Sequence, residues 1–340
     1  MIRMKIYEQL DKEWDFLAPH ANKAITISNT ARVHTDFKIL PRRYACDTAV
    51  ACFLINDRNS LEETVKFFDG KVDAIYVDVE EKQSINLLEL AKPLINHSKF
   101  IAIKPNDIAI ESCDLLLRHK YNDDISGKNI LVIGTGNLAS KIALRTAERQ
   151  ANVYIHGRSD AKEQTIINGI NAFLPQFTTP VKTMEEWDDD VKKFDIVISF
   201  LSGPYWAEES LLPNVNKDTL IIDGGISNFS SDFIQQLLAN DMMIVRLDVR
   251  FALAYQFMAT MNDSMAFYKE VFGKAYVGDN CLVAGGYIGE EGSIIVDQIH
   301  LPTQVVGIAD GRGGVKDEES LTKNDRLAIQ TIQNSIKAST

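Results

Sequence analysis

The feature that most constrains the fold of this chain is an alternation of short apolar segments with amphipathic ones, from about residue 23 to residue 246. Apolar runs such as KAITIS (23–28) and NILVIG (129–134) predict buried strands. Segments with apolar residues at helical spacing, such as NLASKIALRTAERQ (137–150), predict helices. Strands connected through helices form parallel sheets, because a parallel pair needs a crossover connection. We therefore predict an α/β protein with a small parallel N-terminal α/β domain and a second domain with a doubly wound sheet.

The chain has 340 residues, which is enough for two domains. We predict a first domain at 1–122 and a second domain at 123–255. A C-terminal segment at 256–340 would end in a helix that packs back on the first domain. Within the first domain, Ser60 is predicted to cap a helix that ends at Gly70, and the pair Arg42-Arg43 is placed in a turn.

Composition excludes several classes of protein. The net charge of −11, from 36 basic and 47 acidic residues, disfavours nucleic acid as a partner. Neither a secretory leader nor a membrane-spanning run is recognisable. The four cysteines are scattered, without metal-ligand spacing, so we expect reduced thiols, a cytoplasmic protein and no metal site. The expected partner is a small-molecule substrate, and a homodimer is compatible with such a chain.

A glycine loop follows the apolar strand at 129–133. The segment Gly134-Thr135-Gly136-Asn137-Leu138-Ala139 has the pattern G-x-G-x-x-A and opens a helix. In this position, the first glycine permits the turn, the second lets a pyrophosphate approach the backbone, and Ala139 allows close helix packing. The pattern predicts a dinucleotide site of the Rossmann type; the alternative is a plain turn between strand and helix.

The end of the next strand indicates which dinucleotide is bound. The run VYIHG is followed by Arg158 and Ser159, with Lys162 nearby, and an acidic residue for a ribose diol is missing there. Arg158 can stack on adenine and pair with a 2′-phosphate, which favours NADP, with NAD as the alternative. The other interpretation is a solvated arginine. Small residues after two later strands are expected to border the nicotinamide half: Leu201, Ser202, Gly203 and Gly224.

The stretch from Asn106 to Ser159 resembles shikimate dehydrogenases, in its Asn106-Asp107 segment, its Gly127-Lys128 pair, its glycine loop and its Arg158-Ser159 end. The stretch 194–226 is similar to methylenetetrahydrofolate dehydrogenases. The two resemblances together cover about residues 106–226. They imply an N-terminal substrate or catalytic domain (1–122), a Rossmann dinucleotide-binding domain (123–255) and a cleft between the two. They also imply NADP as cofactor and Asp107 in the cleft. The lysine motifs of both families are missing, so the resemblance assigns no substrate.

Hydride transfer to or from an alcohol or amine carbon needs a proton relay. Lys104, at the end of the last predicted strand of the first domain, and Asp107 are the predicted catalytic residues. The alternative is that Asp107 caps a helix and Lys104 is a surface charge. Weaker candidates, mostly for substrate contact, are Asn106, Arg42, Arg43, Tyr255, Gln256 and, after YVDVEE, Lys82.

These observations predict an NADP-dependent biosynthetic oxidoreductase. Its substrate would be a small polar metabolite bearing a carboxylate, in hydroxy/keto or amine/imine chemistry. Reduction of an acyl or aldehyde group is a second enzymatic possibility. From another class, a cofactor-binding regulator or partner protein without catalysis would have the same glycine loop.

Overall fold

The computed structural model of the protein describes residues 2–30, 36–187, 193–260 and 262–339. The chain separates into two compact units, Met1–Phe257 and Met258–Thr340. The first unit contains two sheets, and the second contains one.

The first sheet has five strands in the order β2-β3-β1-β4-β5. Its strands are β1 (Asn22–Ser28), β2 (Phe37–Ala45), β3 (Thr48–Ile55), β4 (Ala74–Asp78) and β5 (Lys99–Ile103), and its helices are α1 (Ile2–Leu17), α2 (Arg58–Phe68), α3 (Leu87–Ala91) and α4 (Pro105–Lys120). The neighbouring strands are parallel except for β2, which is antiparallel to β3.

Strand β2 corrects the prediction for Arg42 and Arg43, which lie in this edge strand and not in a turn. The turn comes later, at Cys46 and Asp47, which have φ values of 48° and 55°. Positive φ at both central residues is typical of the two-residue hairpin connection that fits the twist of antiparallel strands. The N-terminal sheet is thus a parallel sheet with one antiparallel edge.

The start of α2 also differs from the prediction. The helix begins at Arg58, and its N-cap is Asp57, whose carboxylate accepts the backbone N–H of Ser60 at 2.9 Å. Ser60 therefore lies inside the first turn. Aspartate caps helices as well as serine does, so pattern alone did not distinguish the two.

The second sheet is the predicted doubly wound sheet. Its strands are β6 (Asn129–Ile133), β7 (Asn152–His156), β8 (Lys182–Thr183), β9 (Ile196–Ser199), β10 (Leu220–Asp223) and β11 (Met243–Arg246), and its helices are α5 (Asn137–Glu148), α6 (Asp160–Phe173), α7 (Glu208–Leu211), α8 (Ser231–Ala239) and α9 (Arg250–Met258). The order β11-β10-β9-β6-β7-β8, with parallel neighbours, is the Rossmann order. The prediction of the fold class is confirmed.

The apolar run at β6 is continuous because both faces of the second sheet are covered by helices. Val132 is buried in the cluster that contains Ala143 of α5, whereas its neighbour Ile133 is buried in the cluster that contains Leu237 of α8. The strand is therefore fixed on both sides. The loop that follows it starts from a rigid position.

Two contacts tie the halves of the first unit together. Arg149 at the end of α5 donates two hydrogen bonds of 2.7 Å to the carboxylate of Asp114 on α4, which is 1% exposed. Helix α9 leaves the second sheet and packs on the first, where the Phe257 ring lies 5.1 Å from the Tyr76 ring. These contacts set the distance between the carboxyl ends of the two sheets.

The second unit has a four-stranded sheet in the order β12-β13-β14-β15. Its elements are α10 (Asn262–Val271), β12 (Gly273–Val277), β13 (Asn280–Ala284), β14 (Ile294–Val296), β15 (Val305–Ile308) and α11 (Lys323–Ser339). Helix α11 buries Ile332 with Leu282 and Ile308 of the sheet. The predicted closing helix is present, and its packing on the first domain stays a prediction.

Among the described residues, no helix combines the length and the apolar character needed to cross a membrane.

Candidate functional site

A cavity of about 690 Å³ lies where the carboxyl ends of the two sheets of the first unit face each other. Ligands of open α/β sheets bind at this edge, next to the point where the strand order reverses, which here lies between β6 and β9. Its lining consists of Asn29, Thr30, Lys82, Pro105, Asn106, Gly134, Thr135, Gly136, Asn137, Leu138, Arg158, Ser159, Lys162, Phe200, Leu201, Ser202, Gly203, Trp206, Gly224 and Gly225.

The glycine loop forms the floor of this cavity. Gly134 has a φ of +128°, and its backbone N–H donates to the carbonyl of His156 at 2.9 Å. Gly136 is the N-cap of α5, and no side chain caps the helix there. The first N–H groups of α5 are therefore open to an anion, as a pyrophosphate site requires.

A second wall is the loop after β9, which Asn228 holds in place. The Asn228 carboxamide is fully buried, accepts the backbone N–H of Leu201 at 3.1 Å and donates to the carbonyls of Leu201 and Gly203, both at 3.0 Å. Its backbone carbonyl accepts the N–H of Tyr205 at 2.6 Å. Asn228, through its side chain and its backbone carbonyl, thus shapes the loop from residue 201 to residue 205.

The half of the cavity next to the end of β7, where an adenosine would lie if a dinucleotide binds, has a cationic lining. Arg158, Ser159 and Lys162 all line it, and its described lining contains no carboxylate. The nearby acid, Glu163, is 6% exposed, and it accepts hydrogen bonds from the backbone N–H of Gly157 and from the Thr183 hydroxyl. Its carboxylate is therefore engaged inside the domain. This lining suits an anionic group, such as a phosphate, better than the uncharged diol of a free ribose.

The opposite half contains an ion pair at the end of β4. The ammonium of Lys82, 13% exposed, lies 2.6 Å from a carboxylate oxygen of Asp78 and 3.1 Å from one of Glu80. Desolvation raises the pKa of Asp78 above its ordinary value, and the hydrogen bond and charge of Lys82 oppose that shift without cancelling it. A lysine ammonium held by a buried carboxylate is thus presented at the cavity wall.

Asn29, at the end of β1, lines the same half and is 5% exposed. Its backbone N–H donates to Asp78 at 3.3 Å, but neither its side-chain nitrogen nor its side-chain oxygen has a hydrogen-bond partner among the described residues. Buried carboxamides are normally satisfied, since an unmade hydrogen bond costs about 1–3 kcal/mol. The side chain is therefore suited to a polar ligand.

Lys104 and Asp107, the catalytic residues predicted from sequence, lie beside the cavity and do not belong to its described lining, although the adjacent Pro105 and Asn106 do. Lys104 pairs with Asp107, and Asp107 also accepts a 2.5 Å hydrogen bond from Lys141 of α5. The hydrogen bond that the Lys104 ammonium donates to Asp107 raises the pKa of Lys104, away from neutrality. This cluster connects α4 to α5.

The other predicted substrate contacts are also outside that lining. Arg42 donates to Glu13 at 2.9 Å and stacks over the ring of Phe16, so its charge is used within the first sheet and its helices. Arg43 follows it on β2, whereas Tyr255 and Gln256 lie on α9. Of the substrate contacts predicted from sequence, the structure brings Asn106 and Lys82 to the cavity.

Asn29 and Trp206 were missed by sequence reasoning. Asn29 follows the first strand of its sheet, and applying the carboxyl-end rule to that strand would have found it. Trp206 lies beyond the small residues that drew attention after β9. The signal available in the sequence is a tryptophan in the loop that follows the ligand-side end of a predicted strand.

Comparison with known protein families bears on the Rossmann half. The profile of the shikimate/quinate 5-dehydrogenase family matches residues 116–223, from α4 to the end of β10. The resemblance to shikimate dehydrogenases is thus confirmed over this stretch, which contains the glycine loop. A glutamyl-tRNA reductase from Thermosipho melanesiensis is 29% identical over 100 residues, which span 29% of this chain and 26% of that protein.

Solved structures with a related arrangement are similar at low identity. The A chain of dipicolinate synthase from Bacillus subtilis is 16% identical, with a TM-score of 0.35, over 73% of this chain and 98% of that one. A shikimate dehydrogenase in complex with NADP+ is 13% identical, with a TM-score of 0.43, over 71% of this chain and 91% of that one. L-tryptophan dehydrogenase from Nostoc punctiforme is 10% identical, with a TM-score of 0.42, over 72% of this chain and 77% of that one.

Proposed function

We propose that this protein is an NADP-dependent oxidoreductase that transfers a hydride to or from a small polar metabolite bound in the cleft of the first unit. One observation carries the proposal: a single cavity is lined both by the glycine loop at Gly134–Gly136 and by Lys82, which is paired with the buried Asp78. A dinucleotide site and a group able to move a proton therefore share one space. That combination is what a dehydrogenase requires.

The proposed cofactor rests on the residues of the adenosine half. The glycine loop and the uncapped N-terminus of α5 fit a pyrophosphate. Arg158, Ser159 and Lys162 offer two cations and a hydroxyl where a 2′-phosphate would lie. NADP, when bound, supplies or accepts the hydride, and NAD is the weaker candidate because the described lining has no carboxylate for a free diol.

Lys82 is the proposed proton relay. In the direction of reduction, its ammonium donates a proton to the substrate oxygen or nitrogen that gains negative charge as the hydride arrives. In the direction of oxidation, the neutral amine accepts that proton. Asp78 positions the ammonium, because its carboxylate is buried and 2.6 Å away. We prefer Lys82 to the sequence-predicted Lys104 because Lys82 lines the cavity.

The substrate is proposed to be polar because of Asn29. Its unpartnered carboxamide offers one donating and one accepting group close to the Asp78–Lys82 pair, and Asn106 lines the same wall. A hydroxy or keto acid, or an amine or imine, meets this requirement. Three further expectations rest on the sequence: a substrate that bears a carboxylate, a cytoplasmic location and a homodimer.

The test is a titration with NADPH and with NADH, followed by turnover assays on hydroxy acids, keto acids and imines. We expect NADPH to bind more tightly, and Asn29→Ala to raise the KM of an active substrate without changing the Kd of NADPH. Binding without turnover on any substrate would favour a cofactor-binding regulator. Failure to bind either dinucleotide would overturn the proposal.

Reduction of an acyl group through a cysteine thioester is less well supported. Such chemistry needs a reactive thiol near the cofactor, and the described lining of the cavity contains no cysteine. Cys52 and Cys113 are buried, and burial raises the pKa of both thiols. Neither thiol has the environment of a nucleophile.

A further inference from the structure

We propose that Trp206 forms one wall of an adenine slot whose other wall is Arg158, so that this tryptophan determines much of the affinity for the purine half of the cofactor. The inference rests on the proposed function, because it assumes that the cavity binds a dinucleotide. It adds a ligand contact from the loop after β9.

The two walls already face each other. The guanidinium carbon of Arg158 lies 5.3 Å from the centre of the Trp206 ring, and both residues line the cavity. Two stacked contacts of about 3.5–4 Å each are needed to hold a ring between two planar groups. Arg158, whose side chain is exposed, therefore has to move outward by about 2 Å to admit a base.

Trp206 is the fixed wall. Its ring packs edge-on against His156 at 5.3 Å and against Tyr205 at 5.2 Å. These two supports are joined by a 2.7 Å hydrogen bond between His156 Nδ1 and the Tyr205 hydroxyl, and Tyr205 is 4% exposed. The loop beneath is held by Asn228. Trp206 itself is 40% exposed, which leaves indole surface open to a ligand.

The place of this pair in the cavity identifies its ligand as the base. Arg158 is followed by Ser159, and both lie at the end of β7, the strand whose end contacts the adenosine ribose in Rossmann domains. The planar group next to that ribose is adenine. A π-face on one side and a guanidinium on the other bind a purine by stacking.

The experiment uses adenosine 2′,5′-bisphosphate, which has the adenosine half and lacks the nicotinamide. We expect Trp206→Ala to raise its Kd about tenfold or more, because stacking of a base on an aromatic ring is lost, and Trp206→Phe to raise it far less. Phe177→Ala is the matched control, since Phe177 is another exposed aromatic residue, 92% exposed, and is outside the cavity lining. Its Kd should equal that of the wild type.

A spectroscopic readout separates stacking from a general loss of structure. Titration with the bisphosphate should quench tryptophan emission in the wild type and in Phe177→Ala, and much less in Trp206→Phe. Equal Kd values for the wild type and Trp206→Ala, or equal quenching in Trp206→Phe, would overturn the role of Trp206 and leave the proposed function standing. Absence of binding by the wild type would overturn both.

Discussion

The ammonium nitrogen of Lys82 lies 2.6 Å from a carboxylate oxygen of Asp78, whose side chain is fully buried. A buried carboxylate costs several kcal/mol in desolvation, and its pairing with the Lys82 ammonium offsets part of that cost. The pair is placed at the cavity wall and not in the core. This position at the cavity wall is the reason why we propose a role in proton transfer for Lys82.

Replacement of Lys82 with Met should lower turnover of an identified substrate by about 10²–10⁴-fold, the usual contribution of a general acid or base. The Kd of NADPH should stay unchanged, because Lys82 is across the cavity from the residues proposed to bind its phosphates. Steady-state kinetics and a fluorescence titration measure the two effects. Lys104→Met, which alters a lysine outside the described lining, is the control and should retain activity.

The single variant also leaves Asp78 unpaired, with an expected cost of about 3–5 kcal/mol in stability. Lys82→Met combined with Asp78→Asn removes that charge, so the double variant should recover stability in thermal unfolding but not turnover. Recovery of both would show that Lys82 acts only through the fold. Loss of turnover in Lys104→Met but not in Lys82→Met would support the assignment made from sequence.

Arg158→Ala should weaken NADPH binding about tenfold or more, since a charge-assisted pair with the 2′-phosphate is lost. The Kd of NADH should change less, because NADH lacks that phosphate. The ratio of the two Kd values, measured by fluorescence, is the decisive quantity. An equal change for both dinucleotides would remove the argument for NADP.

Substitutions at the glycine loop should separate folding from binding. A Cβ at Gly134 would lie 2.6 Å from the backbone oxygen of Phe200, at a φ of +128°, whereas a Cβ at Gly136 meets nothing within 4 Å. Gly134→Ala should lower the melting temperature clearly. Gly136→Ala should leave it nearly unchanged and weaken NADPH binding, because the added methyl group lies where the pyrophosphate approaches. A stable Gly134→Ala protein with full affinity would contradict the proposed geometry.

The Asp69 carboxylate should make the free energy of unfolding of the N-terminal α/β half depend on pH in the acidic range. Its carboxylate accepts the backbone N–H groups of Asn96, His97 and Ser98 at 3.0, 2.9 and 2.9 Å. Desolvation raises the pKa of Asp69, but the hydrogen bonds from Ser98, His97 and Asn96 outweigh it, so the pKa is well below its ordinary value. The carboxylate form is therefore favoured in the folded state.

Because the folded pKa of Asp69 is below the unfolded one, near 3.9, its stabilisation is complete above about pH 5 and declines as the pH falls below about 4. Asp69→Asn should lower the free energy of unfolding by about 1–3 kcal/mol at pH 7, since hydrogen bonds to a charged acceptor are lost. Denaturant unfolding at pH 7 and at pH 3 should show the difference shrinking in acid. A constant difference would contradict the assignment.

The Rossmann half was predictable because its signals are local. A continuous apolar strand, a glycine loop and a helix follow one another at 129–150, and the structure has β6 and α5 at those positions. Strand β2 was not predictable in the same way. It is an edge strand that contains Pro41, Arg42 and Arg43, and its pairing with β3 is set by a turn of two non-glycine residues at positive φ.

The candidate site was harder to predict because it combines residues from distant parts of the chain. Lys104 is close in sequence to the predicted edge of the cleft, whereas Lys82 reaches the cavity only because β4 lies between β1 and β5. Asn29 stands out because its buried carboxamide has no hydrogen-bond partner among the described residues, which only the three-dimensional structure can show. Sequence spacing indicates neither relationship.

The hydrogen bonds of Asn228 bear on the entropy that the proposed cofactor site would lose when a nucleotide binds. Its buried carboxamide fixes Leu201 and Gly203 through hydrogen bonds within the protein itself, so we expect the loop to keep this shape when a nucleotide binds. Little backbone entropy should then be lost from this loop on association, and the main rearrangement that we expect is the outward movement of Arg158. We therefore expect a dinucleotide to bind to a largely preorganised site, in which Arg158 is the residue that changes position.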